Sequence, residues 1–320
     1  MISPPDLDAI EQAADRLTAH VVRTPVVEVD GERLGVSART VTVKLEYLQI
    51  ANAFKYRGAV NHVLGPGAKG VVTVSSGNHG MALATAGQRH GARVAVVLAP
   101  TANPWRRARM AASGAELHVA PDAAAAFAMA VDLAAREDLH FVHPYDGLET
   151  IEGTGTLGLE FAEQAPGLDD VVVAVGGGGL AAGVALAMRA RNPALQLYGV
   201  EPEAAPTLTQ ALAAGIPVPI ALAPTIADSL AAPSAAPMSF ALCRAHLATT
   251  VLVSDDAIVA AMRTLYAALR LVVEPSAAAG LAALAGPLRE TLAGRRVGLI
   301  LCGANHDPAQ QFEMVMGGKS

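Results

Sequence analysis

Short runs of apolar, often β-branched residues alternate along this chain with longer alanine-rich segments of helical character. Such alternation favours a mostly parallel sheet covered by helices. The short runs are apolar at successive positions, as expected for strands that are buried on both faces. The sequence therefore predicts an α/β fold with strands at Val41–Leu45, Val71–Val74, Val94–Leu98, Leu117–Val119, Val171–Val175, Gln196–Val200 and Val297–Leu301.

The helical segments and the breaks between them suggest two domains. A chain of 320 residues suffices for one large α/β domain or two smaller ones that share a cleft. Glycine and proline mark seams at residues 65–70 and 143–147. We predict a large domain of residues 1–68 and 148–320, and a small domain of residues 69–147 that closes over the cleft. Residues 204–237 are predicted to form an irregular crossing along this cleft.

The predicted helices are Pro5–Ala19, Lys55–Val63, Asn78–His90, Pro104–Ser113, Ala123–Ala135, Gly153–Gln164, Leu180–Arg191, Asp255–Leu269 and Ser276–Ala285.

Composition excludes several classes of protein. The net charge is −6 and no basic run with aromatic residues occurs, so we expect no nucleic-acid partner. The two cysteines, Cys243 and Cys302, are too few for a disulfide scaffold and fit a cytoplasmic location. The acidic N-terminus lacks the order of a signal peptide. The uncharged stretch 171–188 contains four glycines, which would weaken a membrane-spanning helix, so we predict a strand, a loop and a helix there.

Two loops that join a predicted strand to a predicted helix are candidate anion sites. Gly176–Gly179 would bring backbone N–H groups and the positive end of a helix to one point, which suits a phosphate. The spacing lacks the GxGxxG pattern with a following acidic residue, so dinucleotide binding is disfavoured. The segment SSGNHG at residues 75–80 offers hydroxyl and amide groups to a carboxylate, although a helix capped by Ser or Asn is the alternative.

Lys55 and Cys302 are candidate reactive side chains. Lys55 opens a predicted helix beside Phe54 and Arg57. An amine near a cation and a helix N-terminus, in an apolar setting, can lose its proton and act as a nucleophile or base; a solvated surface lysine is the alternative. Cys302 ends the last predicted strand, at the edge where parallel sheets bind ligands, and a buried inert thiol is the alternative there.

In this order, these segments resemble the fold type II enzymes that depend on pyridoxal 5'-phosphate (PLP), in the branch of serine/threonine dehydratases (ammonia-lyases) and serine racemases. The resemblance runs from Thr24 to Asn305 and implies a tryptophan synthase β-like fold, with two open, twisted, mostly parallel sheets and helices on both faces. It is carried by AFKYRGA at 53–59, SSGNHG at 75–80, HPYDGLETIEGTGTLGLE at 143–160, GGGG at 176–179, TIAD at 225–228 and CGAN at 302–305.

The resemblance implies which residues bind PLP. Lys55 forms the Schiff base with the cofactor and later moves the Cα proton of the substrate. Phe54 lies against the ring, Asn78 contacts the ring hydroxyl, and Cys302 faces the pyridine nitrogen. A neutral thiol does not stabilise a protonated ring nitrogen, so prompt loss of a 3-hydroxyl group is favoured over a long-lived carbanion. The phosphate is expected on the backbone of Gly176, Gly177, Gly178 and Gly179.

The resemblance also implies the substrate site and the reaction. Ser76 is the second catalytic residue, opposite Lys55 across the cofactor plane. The expected reaction is β-elimination from a 3-hydroxy amino acid such as threonine or serine, which yields a 2-oxo acid and ammonia. The substrate carboxylate is expected at Ser75, Ser76, Asn78 and His79.

Several positions depart from the family pattern. Ala53, Met81 and Thr154 stand where polar side chains are usual, and we interpret these changes as a less polar substrate pocket. A bulkier or less polar 3-hydroxy amino acid is therefore an open alternative. The family's divalent-cation site combines a Glu before a Pro with a nearby Asp, but no Asp follows Glu201 within residues 203–207, so we assign no metal ligand.

Other functions on the same scaffold stay open at this point. An amino acid racemase could use Lys55 and Ser76 on the two faces of Cα. β-Replacement, or a regulatory PLP-binding protein without catalysis, are further alternatives. The expected partners are a small amino acid substrate and a second copy of the chain in a homodimer, with no nucleic acid and no membrane.

Overall fold

The computed structural model describes residues 3–65 and 69–317 and contains two β-sheets. The larger sheet comprises β1 (Val26–Asp30), β2 (Thr40–Lys44), β7 (Asp170–Ala174), β8 (Gln196–Pro202), β9 (Thr249–Val253) and β10 (Arg296–Ile300). Its strand order is β1-β2-β10-β7-β8-β9. Strand β1 pairs antiparallel with β2, and the remaining neighbours pair in parallel.

The smaller sheet shows why strand β4 is apolar at every position. It comprises β3 (Val71–Val74), β4 (Val94–Leu98), β5 (Glu116–Val119) and β6 (His140–Phe141), in the parallel order β5-β4-β3-β6. On β4, Val94 and Val96 pack into one hydrophobic cluster, while Ala95 and Val97 pack into another. Successive side chains point to opposite faces, so the sheet is buried on both faces at β4.

Twelve helices complete the described part of the chain, and many begin at a local capping signal. Side chains of Asp6, Asn103, Asp122, Ser254 and Asp307 accept hydrogen bonds from first-turn N–H groups, as N-caps do. The helices are α1 (Leu7–Leu17), α2 (Lys55–Val63), α3 (Asn78–His90), α4 (Pro104–Ala112), α5 (Ala123–Glu137), α6 (Leu148–Gln164), α7 (Gly179–Arg191), α8 (Thr207–Ala214), α9 (Pro237–His246), α10 (Asp255–Leu269), α11 (Pro275–Ala285) and α12 (Pro308–Met316).

Every strand and helix predicted from the sequence is present with small shifts at the ends, apart from α6, which begins five positions early. Strands β1, β6 and β9 and helices α8, α9 and α12 were not predicted. Helix α8 lies inside the segment 204–237 that we expected to be irregular. Its first N–H groups, from Leu208 and Thr209, donate to the carboxylate of Glu201 at 2.6 and 2.8 Å. The side chain that caps α8 thus belongs to strand β8, so the local sequence of α8 does not reveal where the helix begins.

The stretch 171–188 forms β7, the glycine loop and α7, as predicted. Within residues 3–65 and 69–317, no helix combines the length and apolar character that crossing a membrane requires.

One hydrophobic cluster extends across the first predicted boundary between the two domains. One cluster on a face of the smaller sheet joins Val71 and Val96 with Tyr56, Ala59 and Val60 of α2. Residues before position 69 therefore share a core with the predicted small domain. The first predicted seam includes residues 66–68, which lie outside the described residues, and the domain division stays a prediction.

Candidate active site

The carboxyl ends of four parallel strands open into one cavity of about 680 Å³. Ser75 follows β3, Ala99 follows β4, Val175 follows β7 and Cys302 lies just beyond β10, and all four line the cavity. Ligands of open α/β sheets bind at such edges. Every site residue predicted from the sequence lines this cavity: Phe54, Lys55, Ser75, Ser76, Asn78, His79, Gly176, Gly177, Gly178, Gly179 and Cys302.

Lys55 opens α2 with its side chain at the cavity. Its Nζ atom donates a hydrogen bond to the carbonyl oxygen of Pro144 and lies 4.9 Å from the centre of the Phe54 ring. Burial lowers the pKa of Lys55 to about 8, and the electrostatic influence of Cys302 opposes this shift. About a tenth of the amine is therefore uncharged at pH 7, and this neutral form is the one that acts as a nucleophile or base.

Arg57 does not have the influence on Lys55 that we expected. Its guanidinium is 1% exposed, and it donates to Glu46 at 2.7 and 3.0 Å and to Glu160 at 3.0 Å. Glu160 also accepts from the ammonium of Lys44. These four charged residues, which we call the buried ion network, neutralise one another. The expectation that the Arg57 cation depresses the Lys55 pKa is wrong, because burial is the main cause.

Backbone hydrogen bonds place Lys55 beside Cys302. The N–H group of Phe54 donates to the carbonyl oxygen of Cys302 at 2.9 Å, and Ala53 forms an isolated antiparallel bridge with Gly303. Burial raises the pKa of the Cys302 thiol, and the nearby carboxylate of Glu274 adds to this shift. The thiol is therefore protonated and uncharged at neutral pH.

Asn78 belongs to a buried hydrogen-bond cluster that sequence reasoning missed in part. Its Nδ2 donates to Oε1 of Glu274 at 2.7 Å, and its Oδ1 accepts from Nδ2 of Asn305 at 2.9 Å. An amide nitrogen carries two hydrogens, so one is left for a ligand. Glu274 is 2% exposed, and burial raises its pKa. The sequence did contain a signal for Glu274, because this glutamate stands between apolar residues and Pro275.

The glycine loop leaves no room for side chains. A Cβ atom at Gly177 would lie 2.2 Å from Cδ2 of Tyr145, and Gly178 has a φ of +97°, a conformation that favours glycine. The loop leads into α7, whose first N–H groups have no acceptor within the helix. Backbone donors and the positive helix end therefore face the cavity, as a phosphate site requires.

The SSGNHG segment also brings the start of a helix to the cavity. Helix α3 begins after Gly77 without a side-chain cap, so the alternative of a helix capped by Ser or Asn is wrong. Ser75 Oγ accepts from the Gly77 N–H at 3.2 Å, and Ser76 Oγ accepts from the Ala99 N–H at 3.3 Å. Burial lowers the pKa of His79 well below its ordinary value, so its imidazole is neutral.

The three departures from the family pattern lie behind the cavity wall, contrary to our expectation. Ala53, Met81 and Thr154 are buried, and none is among the lining residues. Met81 packs into a hydrophobic cluster with α2 and the smaller sheet, while Thr154 donates to the carbonyl oxygen of Gly179 at 2.9 Å. The apolar part of the wall comes instead from Ala99, Ala102, Pro104, Leu180, Leu230, Ala231, Ala232 and Pro233.

An ion pair crosses the cavity rim. Arg106 of α4 donates to the carboxylate of Asp228 at 2.5 and 3.1 Å and to the carbonyl oxygen of Asn305 at 2.9 Å. Both charged side chains line the cavity. The TIAD segment that ends at Asp228 was recognised from the sequence without a role for this residue. The pair joins the smaller-sheet side of the cavity to the larger-sheet side.

Comparisons with known proteins agree with this geometry. Residues 17–303 match the model of a family described as pyridoxal-phosphate dependent enzyme. A phenylserine dehydratase from Ralstonia pickettii is 43% identical over 310 residues, which cover 95% of this chain and 94% of that protein. The structure of maize serine racemase superposes with a TM-score of 0.88 at 33% identity and covers 97% of each chain. The crystal structure of the T.th. threonine deaminase also gives a TM-score of 0.88, at 32% identity, and covers 95% of this chain and 99% of that one.

This chain belongs to the pyridoxal-phosphate dependent enzyme family. The predicted fold, the PLP cofactor and the predicted class of enzyme, a PLP-dependent dehydratase, are confirmed by these similarities. The residues present also fit the cofactor, because the glycine loop provides a cradle that a Cβ would fill and Lys55 Nζ lies at the same cavity.

Proposed function

We propose that this chain dehydrates a 3-hydroxy amino acid with an aryl-sized apolar substituent and releases the 2-oxo acid and ammonia. One observation carries the proposal: the wall of the cavity that contains Lys55 and the glycine loop includes small apolar side chains, among them Ala99, Ala231 and Pro233. Similarity to a phenylserine dehydratase supports the same substrate class.

PLP would be held by Lys55 through its amine, by the backbone of Gly176–Gly179 through the phosphate, and by the spare N–H of Asn78. When bound, PLP supplies an electron sink for the bond at the substrate Cα. Cys302 is proposed to face the ring nitrogen. Because burial keeps its thiol uncharged, it offers no anion that would hold a proton on that nitrogen.

The substrate carboxylate is proposed to bind at the N-terminus of α3. The uncapped first-turn N–H groups and the hydroxyls of Ser75 and Ser76 are the donors there, and His79 is neutral, so it adds no competing charge. The substituent on C3 would then lie against the apolar wall that includes Ala231 and Pro233.

Lys55 is proposed to move the Cα proton. Burial lowers its pKa to about 8, so the amine accepts a proton and returns it within the physiological pH range. The 3-hydroxyl group leaves as water when it receives the proton that Lys55 removed from Cα. The weak electron withdrawal expected beside a neutral thiol favours this prompt loss over a persistent carbanion.

A substrate panel tests the proposal. We expect kcat/KM for 2-oxo acid release to be higher with threo-3-phenylserine than with threonine or serine. Ala231→Leu places a larger side chain in the apolar wall and narrows the cavity there. It should therefore lower kcat/KM for phenylserine about tenfold more than for serine, which corresponds to about 1.4 kcal/mol. Ala213→Leu, on an exposed face of α8, is the matched control. Serine as the preferred substrate, or equal effects of Ala231→Leu on both substrates, would contradict the proposal.

Racemisation is the second candidate, because Ser76 and Lys55 line the same cavity and serine racemase structures resemble this one. Chiral analysis of recovered substrate separates the two reactions. If racemisation occurs, Ser76→Ala should abolish it while some elimination persists.

Metal activation through Glu201 is not expected. Its carboxylate is buried and accepts from the N–H groups of Leu208 and Thr209 and from the Thr209 hydroxyl at 2.7 Å, so its oxygens are already engaged. The homodimer and the cytoplasmic location stay predictions.

A further inference from the structure

Three side chains of the kind that bind transition metals meet outside the active-site cavity. His62 lies on α2, His140 on β6 and Glu149 in the first turn of α6. One ligand atom from each lies within 4.8 Å of the others, and Nδ1 of His62 is 3.2 Å from Nε2 of His140. None of the three is among the residues that line the active-site cavity.

The surroundings of His62 leave its Nδ1 lone pair directed at this cluster. The hydroxyl of Thr150 lies 3.0 Å from Nε2 of His62 and 3.5 Å from the carbonyl oxygen of His143. That carbonyl can only accept, so the His62 tautomer with its proton on Nε2 is the one that lets this hydroxyl accept from His62 and donate to the carbonyl. A neutral imidazole with its proton on Nε2 has a free lone pair on Nδ1. Metal-binding histidines are commonly oriented by such a hydrogen bond from the other ring nitrogen.

The distance between the two histidines fits a shared ion. Zinc–nitrogen bonds of about 2.0–2.1 Å at a tetrahedral angle place two ligand nitrogens roughly 3.3 Å apart, close to the 3.2 Å found here. Two imidazoles and one carboxylate suit zinc, nickel or cobalt, whereas calcium and magnesium prefer sites made of oxygen alone. We propose that His62, His140 and Glu149 form a binding site for a divalent transition-metal ion of the zinc type, with a fourth position open to water.

The simpler alternative is a hydrogen bond between the neutral imidazoles of His62 and His140. In that case Nε2–H of His140 donates to Nδ1 of His62, and Glu149 has no part in the cluster. The chain contains a second histidine pair for comparison, His20 and His90, whose ring centres are 4.9 Å apart. Among the residues that the structure describes, this second pair has no third ligand of the required kind.

An ion at this site would act on the wall of the active-site cavity. His140 and Glu149 flank the segment that contains Pro144 and Tyr145, both of which line the cavity. Pro144 accepts the hydrogen bond from Lys55, and Tyr145 packs against the glycine loop. The ion would therefore fix both ends of this segment and join the edge of the smaller sheet to α2 and α6. From the sequence we assigned no metal ligand, because that interpretation considered only the residues after Glu201; these three residues are far apart along the chain and only the fold brings them together.

Metal binding to the PLP-loaded enzyme tests the site. With Co²⁺ as the probe, we expect one equivalent per chain to give the intense visible absorption of a tetrahedral ion, and Zn²⁺ to displace it and raise the melting temperature. His140→Gln and Glu149→Gln should each weaken Zn²⁺ binding at least tenfold, whereas His90→Gln should leave it unchanged. His140 and Glu149 are not buried, so these variants should fold even if His62→Gln does not.

Four results would overturn the proposal. The first is no stoichiometric Co²⁺ or Zn²⁺ binding by the wild-type enzyme. The second is binding that His140→Gln leaves unchanged, and the third is equal loss in His90→Gln, which would indicate nonspecific histidine binding. The fourth is loss in His140→Gln with no effect of Glu149→Gln, which would reject the three-ligand site. Because the readouts are binding and melting temperature, a failed dehydratase assay does not affect this test.

Discussion

The buried ion network predicts that Glu160 contributes more to stability than a neighbouring glutamate of the same helix. Glu160→Gln removes the carboxylate shared by Lys44 and Arg57 and keeps the shape of the side chain. Arg57 retains its two hydrogen bonds to Glu46. Lys44 is fully buried and keeps only neutral acceptors, the carbonyl oxygen of Thr24 at 2.6 Å and the side chain of Gln164.

The expected magnitude follows from this burial. Burial lowers the pKa of Lys44, and the hydrogen bond and charge of Glu160 oppose that shift. Removing one partner of a buried pair leaves an uncompensated charge and costs about 3–5 kcal/mol of unfolding free energy. Glu163 lies three positions further on α6 and pairs with Arg23, and both side chains are more than half exposed. Glu163→Gln should therefore cost about 0–1 kcal/mol.

Urea unfolding of both variants, followed by circular dichroism, measures the difference. The reasoning would be refuted if Glu160→Gln were no more destabilising than Glu163→Gln. A second readout is catalytic: because Arg57 and Lys55 are on the same turn of α2, we expect kcat to fall in Glu160→Gln and to stay unchanged in the control.

Two further predictions concern cofactor binding. The rate at which the cofactor-free chain takes up added PLP should rise with pH around a midpoint near 8, the lowered pKa of Lys55, since only the neutral amine reacts; a midpoint near the ordinary 10.5 would contradict this. Gly177→Ala should weaken PLP binding at least about tenfold, or 1.4 kcal/mol, because the new Cβ collides with Tyr145. Spectroscopic titration measures it, and Gly58→Ala, whose Cβ meets nothing closer than 3.5 Å, should have little effect.

Much of the fold was predictable because its signals are local. Strand β4 is a continuous apolar run and β3 contains a single polar residue, Thr73, and helices α3 and α10 begin and end at the predicted residues. Helix α8 was missed because the Glu201 carboxylate that caps it belongs to another element. Strand β1 was missed because an edge strand with mostly exposed positions lacks the apolar run on which the other assignments rest.

Site residues that lie within a sequence motif were predictable, whereas residues that reach the site only through the packing of the fold were missed. The glycine loop and Lys55 are readable as sequence, because each residue type suits a particular chemistry. Glu274 became visible only once the fold placed it against Asn78. The interpretation of Met81 failed for the same reason, since proximity to a motif along the chain does not decide which side of a helix faces the cavity.

The lysine motif contains both Lys55 and Arg57 because the two residues belong to different layers of the protein. One layer, behind the cavity, holds paired charges, and the other, at the cavity, favours uncharged side chains. Behind the cavity, Arg57 is fully charged and is neutralised by the carboxylates of Glu46 and Glu160. At the cavity, burial favours the uncharged forms of Lys55, Cys302 and His79. A free guanidinium at the cavity would instead pair with anions there, such as a phosphate or a substrate carboxylate. Pairing it in the layer behind anchors the helix that begins with Lys55, while burial lowers the pKa of that amine toward the range that its proposed chemistry needs.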